Sequence, residues 1–197
     1  GEKGHGNQSF PCSFDFRYYK DIYIVKTNLN GAALWQKTHG NEYLEKGTDI
    51  VAKESGGYII AGEKCDHGYN ISSCDNRAKI ILLEIDEDGN SNQETVLNNL
   101  YFFEAGSPIS ISNTSNGGYV FVSKPKNNGY TWFYKWGQNE NSIDLKLENA
   151  GYGGESIEMS NDGGFIIGTS GSTIIKTDQE LNCLLYTSPS PRDVSRS

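Results

Sequence analysis

Methionine occurs once in these 197 residues, and no run of 18 consecutive apolar residues exists, so no segment can cross a bilayer as a helix. Nowhere do apolar residues recur at i, i+3, i+4 and i+7 for three turns, which predicts almost no helix of any kind. Positive charge is scarce: 17 Lys and Arg stand against 25 Asp and Glu, a net charge of −8. That balance excludes the clustered basic footprint that nucleic acid requires. The three histidines, His5, His39 and His67, form no H-x-x-x-H or H-x-E pair, and read as solvated surface residues. G-x-S-x-G, the P-loop and G-x-G-x-x-G are all missing. Carboxylates are scattered over turns and outer strands, so no glycosidase-like pair stands out. No catalytic, cofactor-binding or metal-binding residue is expected.

What the chain does contain is glycine, at 23 copies, twelve tyrosines and an aromatic share of 12%. Aromatic residues suit a half-buried pleated surface, and the length asks for no more than one sizeable domain. One phrase is written three times: SGGYIIAG at 55–62, NGGYVFVS at 116–123 and DGGFIIGT at 162–169. A second cassette accompanies it, as IYIVKTNLNG at 22–31, IILLEIDEDG at 80–89 and STIIKTDQEL at 172–181. Aligned on its second glycine, the first recurs at Gly57, Gly118 and Gly164, spacings of 61 and 46. Aligned at Thr27, Ile85, Trp136 and Thr177, the second recurs after 58, 51 and 41 residues. Stable cassettes at unequal periods mean persistent strands and variable loops, and periods of this size belong to propeller blades.

Each period holds four strand candidates. The first alternates, as Ile50 and Ala52, Ile109 and Ile111, Ile157 and Met159 show. The second and third are apolar almost throughout, for example Tyr119 to Val122 and Ile80 to Leu83. The fourth, as in Ile143 to Leu147, alternates strictly. A stack of fanned sheets explains this order, because neighbouring blades cover the two middle strands on both faces. A two-sheet sandwich would give similar alternation on most strands. Turn chemistry agrees. The Gly-Gly pairs 56–57, 117–118 and 163–164 separate first from second strands, and Asn30-Gly31 and Asp88-Gly89 separate third from fourth. The fold class read from these patterns is all-β, a partial β-propeller of about three to four four-stranded antiparallel blades.

DIYIVKTNLNGAALWQKTHG at 21–40 with GTDIVAKESGGYIIAG at 47–62 resembles the repeat of secreted and cell-surface β-propeller proteins of the Bacteroidota type. The resemblance covers about residues 1–182, strongly at 21–62 and loosely at 125–150, where Trp136-Gly137 replaces the usual Thr-Asp. Trp35 fits the pattern, but Trp is missing near Gln93 in the second unit. The resemblance implies a propeller and export, and carries no catalytic residue. Gly1-Glu2-Lys3 matches Gly62-Glu63-Lys64, so the chain reads as a fragment beginning partway through a repeat, with any export signal outside it. Blades incomplete at both ends are expected over 1–182. Residues 183–197, CLLYTSPSPRDVSRS, abandon the pattern and resemble an adaptor-derived or disordered tail.

Cys65 and Cys74 lie nine residues apart on one predicted loop, a spacing unsuited to a structural zinc site. They are the disulfide candidates, and closure of that loop would contribute about 2–3 kcal/mol. Free thiols and a bond between Cys12 and Cys74 are the alternatives. Three sequons begin at Asn7, Asn70 and Asn113. The acidic turn Asp86 to Asn90 departs from the calcium-loop spacing, with its glycine at position 4 rather than 6. Tyr130, Trp132, Phe133, Tyr134 and Trp136 read as packing between blades, or else as a sugar-stacking platform.

The function these features favour is a non-catalytic scaffold, exported or at the cell surface, presenting loops to a protein or glycan partner. No nucleic acid and no membrane-spanning segment are expected. The competing reading is a propeller enzyme, quinoprotein-like or glycan-processing, whose active site lies partly in blades outside this chain.

Overall fold

A computed structural model describes residues 21–41, 44–65, 78–97, 109–123, 131–137, 140–148, 153–170 and 173–187. Fourteen strands and no helix occur among the described residues. They are β1 (Ile22–Thr27), β2 (Ala33–His39), β3 (Leu44–Ala52), β4 (Tyr58–Cys65), β5 (Ala78–Ile85), β6 (Ser91–Leu97) and β7 (Ile109–Asn113). Then follow β8 (Tyr119–Ser123), β9 (Thr131–Gly137), β10 (Glu140–Glu148), β11 (Gly154–Met159), β12 (Phe165–Thr169), β13 (Ile174–Thr177) and β14 (Cys183–Thr187). Three four-stranded sheets run in chain order, β3 to β6, β7 to β10 and β11 to β14, and β1 pairs with β2 in a two-stranded sheet. All pairings between neighbours are antiparallel. The partial β-propeller is therefore what forms.

The three larger cores each lie between consecutive sheets, and a small fourth cluster of Leu44, Cys65 and Ala78 sits within the second sheet. Ile22 packs with Ile60, Ile81, Leu83 and Ile85 between the first two sheets. Ile59 and Leu82 meet Ile109, Ile111, Phe121 and Tyr134 between the second and third. Val120, Val122 and Phe133 meet Ile157, Phe165, Ile167 and Ile175 between the third and fourth. A middle strand such as β8 is therefore buried at every residue, because adjacent residues point to opposite faces and both faces are covered. In the last sheet β12 and β13 keep only one buried face, and alternate residues are exposed or half-buried. Ile50 is exposed too. Its face looks toward β1–β2 (it lies across from Ile60), and that sheet offers no described strand to cover it.

The glycine pairs do two jobs. The first of each pair, Gly56, Gly117 or Gly163, has φ near +80° to +91°, a conformation that costs an L-residue about 1–2 kcal/mol. The second is small because the third strand passes close by. A Cβ on Gly57 or Gly164 would strike the carbonyl oxygen of Ile85 or Thr177, and on Gly118 it would lie 2.9 Å from that of Trp136. In the outer hairpin of the last sheet Leu181 takes the place of Gly31 and Gly89, with φ at +65°. Its side chain is buried between the third and fourth sheets, and a buried leucine contributes about 1.5–3 kcal/mol, enough to offset the backbone cost.

One boundary differs from the sequence reading. Cys183–Thr187, assigned above to the tail beyond residue 182, forms β14 and pairs with β13. An outer strand needs only backbone groups to join the sheet, so CLLYT serves although it carries none of the repeat's motifs. Residues 188–197 lie outside the described residues, as do His5, Cys12, His67, Cys74, Tyr130 and the sequons at Asn7 and Asn70.

Candidate functional site

The first strand of every sheet is an edge strand, and an edge strand leaves backbone N–H groups pointing away from its own sheet. Where the next sheet buries them, those groups need acceptors. β3, β7 and β11 pack side by side, and short polar side chains supply the acceptors. Asp49 on β3 points toward the next sheet, where its Oδ2 accepts from the Ser110 hydroxyl at 2.7 Å and from the Ile111 N–H at 3.0 Å. Ser110 on β7 repeats the move, its Oγ accepting from the Ile157 N–H at 3.2 Å. Ser112 accepts from the Met159 N–H at 3.1 Å. The bonds cross between sheets in the other direction as well: Asn113 Nδ2 donates to the Ala52 carbonyl at 3.2 Å, and Thr48 donates to the Ile109 carbonyl at 2.8 Å. Sequence reading missed this chain of bonds. Its signal was present, because Asp49, Ser110 and Ser156 all stand eight residues before the second glycine of their repeats.

Beside this junction lies a cleft of about 480 Å³, whose lining includes Asp49, Ser110, Ser156, Glu158, Ile166 and Ile174. Pockets for small ligands run to roughly 300–1,000 Å³. Asp49 and Ser110 are already engaged in holding sheets together, whereas Ser156 and Glu158 are exposed.

The first two sheets are joined near their rim through Glu87, in the turn between β5 and β6. Its carboxylate bonds Lys26 Nζ at 2.7 Å and accepts the Gly57 N–H at 3.0 Å, while its carbonyl accepts Trp35 Nε1 at 2.9 Å. The hydrogen bond from Lys26 holds the Glu87 carboxyl below its ordinary range. The apolar part of the same joint is the Trp35 indole ring, which lies against Gly89 so closely that a Cβ there would come within 2.8 Å. The tryptophan singled out in the sequence is thus a structural contact between blades.

Asp86 caps that same turn. Its Oδ1 accepts the N–H groups of Asp88 and Asn90 at 2.9 and 2.8 Å, and its Oδ2 accepts Asn90 Nδ2 at 3.0 Å. Those bonds, the one from the Asn90 side chain foremost, hold its carboxyl low. Asp178 repeats the arrangement with Glu180 and Asn182. The acidic turns are spoken for by their own backbone, and no group of three or more metal-capable side chains assembles among the described residues.

Of the aromatic run, Phe133 and Tyr134 are buried and point to opposite faces of their sheet, toward the fourth and second sheets respectively. Tyr134 stacks on Phe121 at 4.6 Å between centroids, and Trp136 lies 5.6 Å from Tyr119. Burial raises the Tyr134 hydroxyl pKa. These three rings serve packing, as one of the two readings held. Asn113, the one described sequon residue, has its Nδ2 engaged with Ala52. His39 ends β2. Cys65, buried at the end of β4, is disulfide-bonded, and Cys183 is free. With four cysteines in the chain, the partner of Cys65 is Cys12 or Cys74.

A second buried polar group lies near Cys65. Glu45 is 2% exposed, and its pKa is raised because burial disfavours the charged form; Lys64, at 3.6 Å, offsets this only in part. Burial works against the Lys64 ammonium too, but the hydrogen bond to Glu94 at 2.7 Å and the two carboxylate charges outweigh it.

No family model matches the sequence, and no curated protein matches it. Solved structures do. A protein of unknown function from Bacteroides caccae superposes with a TM-score of 0.50 at 10% identity, over 87% of this chain and 55% of that one. The Dos1 propeller superposes with a TM-score of 0.52 at 12% identity, over 87% of this chain and 44% of its own. Identity this low speaks for the fold alone, and this chain spans about half the length of both structures. The fold that they share with it is the β-propeller.

Proposed function

We propose that this chain is a non-catalytic propeller scaffold of an exported or cell-surface protein, of the Bacteroidota-type repeat family, that presents its loops to a protein or glycan partner. The observation that carries the proposal is the connection between second and third strands. It stays at the same place in each sheet while its length changes, from 12 residues after Cys65 to 7 after Ser123 and 4 after Thr169. A constant frame with one variable connection is how loops acquire binding roles. The disulfide at Cys65 sits at the base of the longest of them, and disulfides persist in oxidising compartments. The polar side chains on β3 and β7 support the same view, since Asp49, Ser110 and Ser112 hold sheets together.

A glycan array probed with the full chain tests the reading, alongside a chimera in which residues 66–77 are replaced by the short 170–173 connection and Cys65 by serine. Specific retention that the chimera loses, with the bound glycan recovered chemically unchanged, is the expected result. Turnover of an array glycan, detected by mass spectrometry, would instead establish the enzyme reading.

A further inference from the structure

Two Asn-Gly pairs fall among the described residues, Asn30-Gly31 in the turn between β1 and β2 and Asn116-Gly117 in the turn between β7 and β8. Such pairs are open to attack by the glycine nitrogen on the asparagine side chain, because glycine carries no Cβ to screen it. The two turns share one backbone plan. Gly31 N–H donates to the Asn28 carbonyl at 3.0 Å, Gly117 N–H donates to the Thr114 carbonyl at 3.2 Å, and both glycines have φ near +80°. What holds each asparagine differs. Asn116 Oδ1 accepts the Thr114 hydroxyl at 2.6 Å, and that hydroxyl oxygen, on a residue 5% exposed, accepts the Gly118 N–H at 2.8 Å. Asn116 is thus folded back onto a buried anchor. Asn28, the anchor of the other turn, is exposed, and its Oδ1 accepts the N–H groups of Asn30 and Ala32 at 2.9 and 3.0 Å. The Asn30 side chain is exposed and makes no hydrogen bond to any described residue, and a Cβ at Gly31 would meet nothing within 4 Å. The Asp-Gly pairs at 88–89 and 162–163 are slower substrates, since a carboxylate has no ready leaving group, and Asp162 is held by Lys176 and Ser160 besides.

We propose that Asn30 is a site of spontaneous covalent modification, at which water alone converts the side-chain amide to a carboxylate and rebuilds the backbone of the β1–β2 turn. The Gly31 nitrogen bonds to Asn30 Cγ, the Cγ–Nδ2 bond breaks, and ammonia leaves with the proton that the Gly31 nitrogen gives up. A cyclic imide remains. Water then adds to one of its two carbonyls. Cleavage between Cγ and the Gly31 nitrogen gives an ordinary aspartate, and cleavage at the main-chain carbonyl gives isoaspartate. Either product takes the net charge from −8 to −9. In isoaspartate the main chain gains a methylene between the two N–H groups that Asn28 Oδ1 accepts, those of residues 30 and 32, so the turn has to rearrange. It lies beside the rim joint, where Lys26 and Trp35 of the same hairpin reach Glu87. Asn116 must first release the Thr114 hydroxyl, and a hydrogen bond of that kind slows it by roughly two- to tenfold.

Peptide mapping by mass spectrometry tests this on the full chain, held in mildly alkaline buffer until a urea-unfolded sample has converted by half. Isoaspartate is read separately by isoaspartyl methyltransferase labelling. In the folded chain Asn30 should convert roughly two- to tenfold faster than Asn116, with both aspartate and isoaspartate at position 30. In urea the two rates should draw together, because the Thr114 bond is lost. Gly31→Ala, which places a methyl group beside the attacking nitrogen, should slow conversion at Asn30 severalfold and leave Asn116 unchanged. Circular dichroism checks that this variant folds, and the folded-to-unfolded comparison on the parent stands without it. An Asn30 that stays intact while the unfolded chain converts, an Asn116 that converts as fast as Asn30 in the folded chain, or one ratio in both states would each overturn the proposal.

Discussion

Ser110→Ala tests the chain of bonds between sheets at its centre. The serine hydroxyl donates to Asp49 and at the same time accepts the Ile157 N–H. Ile157 is 4% exposed, so water cannot replace the lost acceptor, and leaving a buried N–H unpaired costs about 1–3 kcal/mol. Asp49 keeps its bond from the Ile111 N–H and is half-buried, so its loss adds less. A total of about 2–3 kcal/mol follows. With a urea dependence of about 2 kcal/mol per molar, the unfolding midpoint should fall by roughly 1 M. The control is Ser156→Ala, the same residue at the same repeat position but exposed, with no next sheet described beside it. Its effect should stay within about 0.5 kcal/mol. Equal shifts for the two variants, or a shift below 0.5 kcal/mol for Ser110→Ala, would show that the side-chain acceptors do not hold the blades together.

The two glycines of a pair should respond differently to asparagine. Gly163→Asn keeps a residue that tolerates positive φ, its Cβ meeting no more than ordinary contacts such as Ser115 Oγ at 3.7 Å, and should cost under about 1 kcal/mol. Gly164→Asn drives a Cβ into the Thr177 carbonyl and should cost about 1–3 kcal/mol, read as the difference in melting midpoint. Glu45 supplies a pH signature. Its folded pKa lies above the unfolded value of about 4.3, so the folded state holds the proton more tightly. Stability from this group is then present below pH ~4 and lost as pH rises through the folded pKa. Glu45→Gln should flatten the parent's fall in stability over that window, and parallel curves would contradict the assignment. Asp162 has the opposite sign. The Lys176 and Ser160 bonds lower its pKa, so Asp162→Asn should remove part of the stability loss below pH ~4, measured by acid titration of the circular dichroism signal. Finally, peptide mapping without reductant should recover Cys65 joined to Cys74, the loop-closing pair, and leave Cys183 alkylatable.

Much of the architecture was legible because it rests on local rules. Continuous apolar runs at Tyr119 to Val122 and alternation around Ile109 and Ile111 follow from which strand faces are covered. The glycine pairs and the Asn30-Gly31 and Asp88-Gly89 dipeptides follow from what a tight turn allows. The closing hairpin of the last sheet was harder to read, because Leu181 stands where glycine was due and pays for its backbone conformation by burial against a neighbouring sheet. β14 was harder still, since CLLYT carries no repeat motif and joins through backbone bonds to β13.

The sequence by itself determined most of the strands, their order and the glycine-bearing turns, since each depends on contacts within one repeat, whereas β14 and the Leu181 turn were decided by pairing and packing. It did not reveal that Asp49, Ser110 and Ser112 bind the backbone of the following sheet, nor that Ile166 and Ile174 lie exposed where their counterparts are buried. Those outcomes depend on which sheet stands beside which, and only the tertiary structure brings an edge N–H within reach of a side chain 47 or 62 residues away.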